Sequence, residues 1–213
     1  MQNKDGRALQ RGTVRLAAAP RFRKSLLVLG AAATLPAVGL LMAVDALVFG
    51  AAPQFPILDP ASLDLRLGYL CAMVVGLLVA ATAEEVVFRG YVLQQTAAFT
   101  RNIWVIVGLN GALFALFHLE FDPSALAARA LAGAAFAWAA LRLGGLEFAI
   151  GAHLATNLML ALFQAPMLPD DPAASGGFDE VLGEVALAAY TVWIVEILYR
   201  RRRGSGEPIS SPA

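Results

Sequence analysis

The 213-residue sequence is poor in charged residues, cysteine and histidine. Only 15% of its residues are charged, whereas a soluble domain carries about 25%. The single cysteine, Cys71, excludes an intrachain disulfide framework, and we expect it to be a small buried apolar residue. No Gly-x-Ser-x-Gly or His-Glu-x-x-His motif occurs, which argues against a standard serine hydrolase and a zincin.

Apolar residues make up 59% of the chain, and the mean hydropathy is +0.66. A helix needs about 20 apolar residues to cross a bilayer. No pattern typical of β-strands competes with the long apolar runs. The sequence therefore predicts an all-α, polytopic bundle of about six transmembrane helices within residues 25–199. We expect them at 25–50, 67–98 (interrupted by charges), 103–118, 125–141, 146–163 and 181–199.

The connections between these segments alternate in charge. Basic residues dominate the N-terminal tail (1–24), recur at Arg101 and Arg142, and crowd the C-terminal tail (200–213), while most loop acids fall in the other connections. Because cytoplasmic loops of membrane proteins carry the excess of Lys and Arg, we expect both termini to be cytoplasmic. The segment 164–180 and the end of the C-terminal tail, rich in Gly, Ser and Pro, are expected to be irregular.

Ionisable side chains inside membrane helices are costly, so they are candidates for function. The second apolar segment contains Ala-Glu-Glu-Val-Val-Phe-Arg-Gly. Glu85 and Arg89, four residues apart, share a helix face and are expected to pair. Glu84 points about 100° away from Glu85 and is free for another role. The other acidic residues of the helices are interpreted as packing or interfacial residues: Asp45, Glu184 and Glu196.

Both histidines lie in apolar segments. One such histidine is usually a hydrogen-bonded core residue, but two beside a Glu-Glu pair indicate a site. Asn157 follows His153 by one helical turn and shares its face. With a rise of about 1.5 Å per residue, Glu84 and His118 reach nearly the same depth, and His153 lies somewhat nearer the cytoplasm. The spacing therefore predicts that these residues share one cavity.

The set of residues fits amide hydrolysis, which needs an activated water and donors for the developing oxyanion. Glu84 would act as general base on a water that His118 also holds. His153 and Asn157 would face the oxyanion, while the ion pair between the second glutamate and the arginine fixes the helix. Alternatively, Glu84, His118 and His153 could bind a divalent metal such as zinc. The sequence leaves both chemistries open.

Three motifs follow one another on successive helices: Glu-Glu-x-x-x-Arg, Phe-x-x-x-His and His-x-x-x-Asn. In this order they resemble the CPBP intramembrane protease family, which includes type II CAAX prenyl proteases and bacteriocin-processing or self-immunity proteins. All three motifs match without a departure. The resemblance implies an intramembrane endopeptidase with these catalytic residues: Glu84, Glu85, Arg89, His118, His153 and Asn157.

The expected partners are the lipid bilayer and a membrane-associated peptide or protein substrate, with no nucleic acid. The Ala-, Leu- and Arg-rich chain with short loops is typical of bacteria, so we expect the inner membrane and a peptide or transmembrane substrate rather than a prenylated eukaryotic one. Two other readings stay open, namely a noncatalytic immunity or scaffold protein of the same fold and a transporter subunit. The absence of an internal repeat argues against the transporter.

Overall fold

The computed structural model describes residues 22–50, 53–164 and 178–204. Within these residues there is no strand, and six helices confirm the all-α prediction. The tail before residue 22, the loop 165–177 and the end of the chain from residue 205 lie outside the described residues. The helices are α1 (Lys24–Val48), α2 (Leu63–Phe99), α3 (Ile103–Phe117), α4 (Pro123–Leu143), α5 (Glu147–Met159, extended by Leu160–Gln164) and α6 (Phe178–Gly204).

Two helices contain a π-helical turn, in which the backbone hydrogen bonds run from residue i to i+5. In α2 the turn covers Val86–Val92, directly after the Glu-Glu pair. In α5 it covers Leu160–Gln164, at the end of the helix. The sequence pattern alone did not indicate either turn.

Local sequence explains where α4 begins and ends. Asp122 precedes the helix, and its carboxylate accepts hydrogen bonds from the backbone N–H groups of Ser124 and Ala125. Pro123 occupies the first turn, where a missing N–H costs nothing. At the other end Gly144 has a positive φ of 65°, which favours glycine and terminates the helix.

Small residues bring two pairs of helices into close contact. A Cβ atom at Gly30 of α1 would collide with the carbonyl oxygen of Phe148 in α5, and one at Gly151 would collide with the carbonyl oxygen of Leu27. Between α3 and α4, a Cβ at Gly133 would lie 3.0 Å from the Cα of Gly111. Such contacts are typical of membrane bundles, where packing drives helix association.

The outer surface of the bundle is apolar. Large side chains such as Leu47, Phe99 and Trp104 are mostly exposed, at 86%, 89% and 70% of their area. Four helices, α1, α2, α4 and α6, are long and apolar enough to cross a membrane, and α3 is apolar but shorter. Cys71 is exposed on this surface, so the expectation that it is buried is wrong: its face of α2 points outward, where lipid rather than protein would cover it.

The C-terminal arginines differ from the expectation of a tail that starts at residue 200. Helix α6 continues to Gly204, so all four arginines are helical. Their long side chains can extend to water or lipid headgroups from the end of a helix whose earlier turns are apolar. The guanidinium of Arg203 lies 5.8 Å from the ring centre of Tyr199, one turn earlier.

Candidate functional site

All six helices line a cavity of about 970 Å³. Four of the residues predicted from the motifs are on its wall: Glu84, His118, His153 and Asn157. The predicted convergence of three separate helices on one cavity is therefore present in the structure. Phe114 and Phe136 also contribute to the wall, which places aromatic rings against the polar residues.

Glu84 faces both histidines. Its Oε2 atom lies 3.9 Å from Nε2 of His118 and 3.8 Å from Nε2 of His153. Both distances exceed the limit of a direct hydrogen bond. The Glu84 side chain keeps 30% of its area accessible, while its Oε2 atom is buried and has no hydrogen-bond partner among the described residues. The three groups thus surround one small volume at the cavity wall.

The opposite ring nitrogens show how each histidine is oriented. Nδ1 of His118 is 2.8 Å from the carbonyl oxygen of Phe114, and Nδ1 of His153 is 3.0 Å from Oε1 of Glu85. A carbonyl and a carboxylate only accept hydrogen bonds, so each Nδ1 is the donor. In the neutral rings Nε2 then has no proton and presents a lone pair toward Glu84. Aromatic contacts hold the rings, since Phe114 packs edge-on against His118 and Phe136 stacks on His153.

Behind the cavity wall lies a fully buried network. Glu85 accepts hydrogen bonds through Oε1 from Nη1 of Arg89, at 3.0 Å, and from Nδ1 of His153. Arg89 also donates through Nη2 to the carbonyl oxygen of Gly133, at 2.8 Å, and stacks over Phe114 with 4.5 Å to the ring centre. Both charged side chains have no accessible area. The pair predicted from their spacing is therefore present, and the structure adds His153 to it.

Other polar residues of the site region were not predicted to belong to it. Asn110, fully buried in α3, donates from Nδ2 to the carbonyl oxygen of Phe88 at 2.8 Å. Asp45 and Glu184 line the cavity, although we interpreted them as packing or interfacial residues. Asn110 stands four residues before Phe114, so the rule that singled out other polar residues in apolar helices would also have found it.

A metal ion would need its ligands closer together. Zinc binds nitrogen and oxygen ligands at about 2.0–2.2 Å, which puts tetrahedral ligand atoms about 3.4 Å apart. The separations of 3.8 and 3.9 Å exceed this spacing. Among the described residues, no group of three His, Cys, Asp and Glu side chains has the arrangement of a metal site. The site residues do not fit a bound metal in this arrangement, and the metal hypothesis stays a prediction for chemical analysis.

Comparison with known proteins agrees with the motifs. Residues 66–159 match the family described as type II CAAX prenyl endopeptidase, Rce1-like. The uncharacterized protein YyaK of Bacillus subtilis (strain 168) is 32% identical over 89 residues. That alignment covers 38% of this chain and 29% of the relative, so the chain spans less than a third of that protein's length. No solved structure matches the chain.

The matched segment includes every residue of the three motifs, from Glu84 to Asn157. At the level of the family, the match implies a protease of the membrane. With four helices long and apolar enough to cross a bilayer, the chain is a multi-pass membrane protein. The resemblance predicted from the motifs is thereby confirmed: residues 66–159 are similar to the Rce1-like type II CAAX prenyl endopeptidase family.

Proposed function

We propose that this protein is an intramembrane endopeptidase that hydrolyses peptide bonds of membrane-associated peptides or proteins with a water activated by Glu84. The observation that carries the proposal is the position of Oε2 of Glu84 opposite the Nε2 atoms of His118 and His153. A helix bundle stabilised by packing alone has no need for three such groups at an accessible cavity wall.

We propose that one water bridges Glu84 and His118 and satisfies the buried Oε2 atom of Glu84. The 3.9 Å separation is too long for a direct bond and short enough for one water to hydrogen-bond to both atoms. Both atoms are acceptors when the ring is neutral, so the water donates its two protons to them. Its oxygen lone pairs then point away from both acceptors and are available to attack a carbonyl carbon.

The reaction follows from these roles. Glu84 takes a proton from the water as its oxygen forms a bond to the carbonyl carbon, and the carbonyl oxygen becomes an oxyanion. Glu84 then passes the proton to the leaving nitrogen as the carbon–nitrogen bond breaks. Asn157 donates to the oxyanion through its amide N–H. His153 can donate from Nε2 only when its ring also carries a second proton, with the Glu85 carboxylate at Nδ1 as counter-ion.

The lining of the cavity supports a substrate that comes from the membrane. Many of its lining side chains are apolar, among them Val38, Leu41 and Leu77. A helical segment must unwind locally to expose an amide to hydrolysis, and each freed backbone group then needs a new partner. The polar residues of the cavity can supply such partners. We therefore propose a transmembrane or membrane-anchored peptide as the substrate class.

The test compares purified wild type with Glu84→Gln on a library of quenched membrane peptides in detergent. Loss of the general base should lower the cleavage rate by about 10²–10⁴-fold. The matched control is Asp122→Asn, which also converts a carboxylate to an amide but lies outside the cavity and keeps a good helix cap. Equal cleavage by wild type and Glu84→Gln would overturn the proposal.

The same samples test the alternatives. Stoichiometric zinc and chelator-sensitive cleavage would support metal chemistry and refute water activation by Glu84 alone. A noncatalytic scaffold or immunity protein should keep its cellular function in Glu84→Gln and in His153→Ala at unchanged membrane abundance. A protease should lose that function in both variants.

We also propose that both termini face the cytoplasm, because basic residues dominate the ends of the chain and the connections at Arg101 and Arg142. The test is a reporter fused to either end of the full chain in bacteria. An active periplasmic reporter at the C-terminus would contradict this topology. The same fusions, fractionated, test whether the protein lies in the inner membrane.

A further inference from the structure

A row of buried residues in α2 has a spacing that a regular α-helix cannot keep on one side. Four residues at intervals of four have no accessible area: Ala81, Glu85, Arg89 and Leu93. In an α-helix each step of four residues turns the side-chain direction by about 40°, so three steps would turn it by about 120°. The π-helical turn Val86–Val92 contains more residues per turn and removes much of this drift. It therefore keeps Arg89 and Leu93 on the same buried side of α2 as Ala81 and Glu85.

The backbone carbonyl of Phe88 lies in the middle of this turn. Its oxygen accepts a hydrogen bond from the backbone N–H of Leu93, five residues later. It also accepts one from the side-chain amide of Asn110 in α3, at 2.8 Å. The same peptide unit joins Phe88 to Arg89, so a hydrogen bond to this carbonyl fixes the point from which the Arg89 side chain leaves the helix. The π-helical turn of α5 has a similar bond, because Tyr69 donates to the carbonyl oxygen of Ala161 at 2.8 Å.

We propose that Asn110 is a positioning residue for the hydrolysis proposed above, on which this inference rests. Its amide holds the π-helical turn through Phe88, the turn places Arg89 against Glu85, and Glu85 orients His153 at Nδ1. The amide of Asn110 donates to the carbonyl oxygen of Phe88, which is not one of the residues that line the cavity. Its effect on the reaction passes through the buried network.

The energetics of Asn110 differ from those of a residue that serves stability alone. Its Oδ1 atom is buried and accepts no hydrogen bond from the part of the chain that the structure describes, which costs free energy. Replacement by leucine, of similar size, removes this buried acceptor. The carbonyl of Phe88 still keeps the N–H of Leu93. Asn110→Leu should therefore fold as well as wild type and yet hold the turn less firmly.

The experiment uses the full chain in detergent, as wild type, Asn110→Leu, Asn110→Asp and Tyr190→Phe. Tyr190→Phe is the matched control, because it removes another bond from a side chain to a helix carbonyl, that of Ala33, far from the π-helical turn. The first readout is hydrogen exchange of the amides of residues 86–93, which requires no catalysis. The second readout is peptide cleavage, from which kcat, KM and the pH profile of each variant are measured. The thermal midpoint of each variant is measured as well.

We expect faster exchange at 86–93 in Asn110→Leu, a kcat lowered by about 10–100-fold through misplacement of the network, and an almost unchanged KM and thermal midpoint. Asn110→Asp can donate to the carbonyl only when protonated, so the ratio of its kcat to that of wild type at the same pH should be highest at low pH and fall as pH rises. Tyr190→Phe should match wild type in both readouts.

Unchanged exchange in Asn110→Leu would overturn the inference whether or not the protein cleaves peptides. An equal loss of kcat in Tyr190→Phe would also overturn it, since the effect would then be general. If wild type cleaves no peptide, the proposed function fails, and the exchange data alone decide whether Asn110 holds the turn.

Discussion

Two arginine–glutamate pairs lie in different regions of this bundle. Arg89 and Glu85 have no accessible side-chain area, whereas Arg142 and Glu196 keep 24% and 23%. Each arginine also stacks on aromatic rings, Arg142 on Trp138 and Tyr199 at 4.6 and 4.8 Å to the ring centres. The two pairs therefore use the same residue types and similar geometry, and burial is the main difference.

This difference changes what each pair does. In the half-buried pair of Arg142 and Glu196, water can replace a lost partner. The contacts of this pair join the end of α4 to α6. In the buried pair every lost partner leaves a charge in apolar surroundings. The buried pair also continues to His153, so its geometry is transmitted to the cavity. Burial thus turns an ordinary ion pair into part of the candidate site.

The largest effect is expected for Arg89→Gln. It leaves the Glu85 carboxylate buried without its cation and should cost about 3–5 kcal/mol of stability. We expect a lower thermal midpoint, reduced membrane abundance and loss of cleavage. The double variant with Glu85→Gln should be more stable than Arg89→Gln alone, because it removes the unpaired charge. An unchanged thermal midpoint in Arg89→Gln would show that the buried pair contributes little to stability.

The Gly133 carbonyl accepts a hydrogen bond from Arg89, and shifting this carbonyl tests the buried network without changing a charge. In Gly133→Ala the new Cβ would lie 2.9 Å from the Cβ of Phe114, so α3 and α4 must separate and the Gly133 carbonyl must shift. We expect a cost of about 1–3 kcal/mol and a lower cleavage rate. Gly108→Ala in α3 is the control, because nothing lies within 4 Å of a Cβ there. Equal midpoints for the two variants would contradict the close contact.

A smaller effect is expected for Arg142→Gln, the same substitution in the half-buried pair. Its loss should cost about 0–1 kcal/mol, since the remaining Glu196 carboxylate is accessible to water and keeps the N–H of Trp138. The thermal midpoint and the cleavage rate should stay close to wild type. A loss as large as that of Arg89→Gln would show that burial does not explain the difference between the pairs.

The smallest effect is expected for Asp122, a partly exposed carboxylate held by hydrogen bonds at the start of α4, which extends the comparison to a charge outside an arginine–glutamate pair. Hydrogen bonds from the Ser124 hydroxyl and from the N–H groups of Ala125 and Ser124 lower the pKa of this carboxyl. A lowered pKa in the folded state means that the carboxylate stabilises the start of α4 above the unfolded pKa of about 3.9. This contribution is lost as pH falls through the lower folded value.

The measurement for Asp122 is the thermal midpoint of wild type and Asp122→Ala between pH 7 and pH 2. The two proteins should differ modestly at neutral pH, because alanine removes the helix cap, and the difference should shrink in acid. A difference that is constant with pH would contradict the role of the charged cap.

The sequence predicted much of the fold because a bilayer restricts the possible structures. Long apolar runs must become helices, and each of the six predicted segments overlaps one of the six helices of the structure. The spacing of Glu85 and Arg89 predicted their pair, and helix rise predicted that Glu84 and His118 lie at one level. The π-helical turns and the extension of α6 were not predicted, since no single residue type signals them.

By itself, the sequence determined the helical class, the order of the three motifs and the identity of the polar residues, because these follow from periodicity and from the cost of burying charge. Only the tertiary structure decided that His153 is held by Glu85, that both Nε2 atoms face Glu84 and that Asn110 supports the turn beneath Arg89. Those contacts depend on helix rotation and on glycine-mediated approach between distant segments, which one-dimensional spacing does not contain.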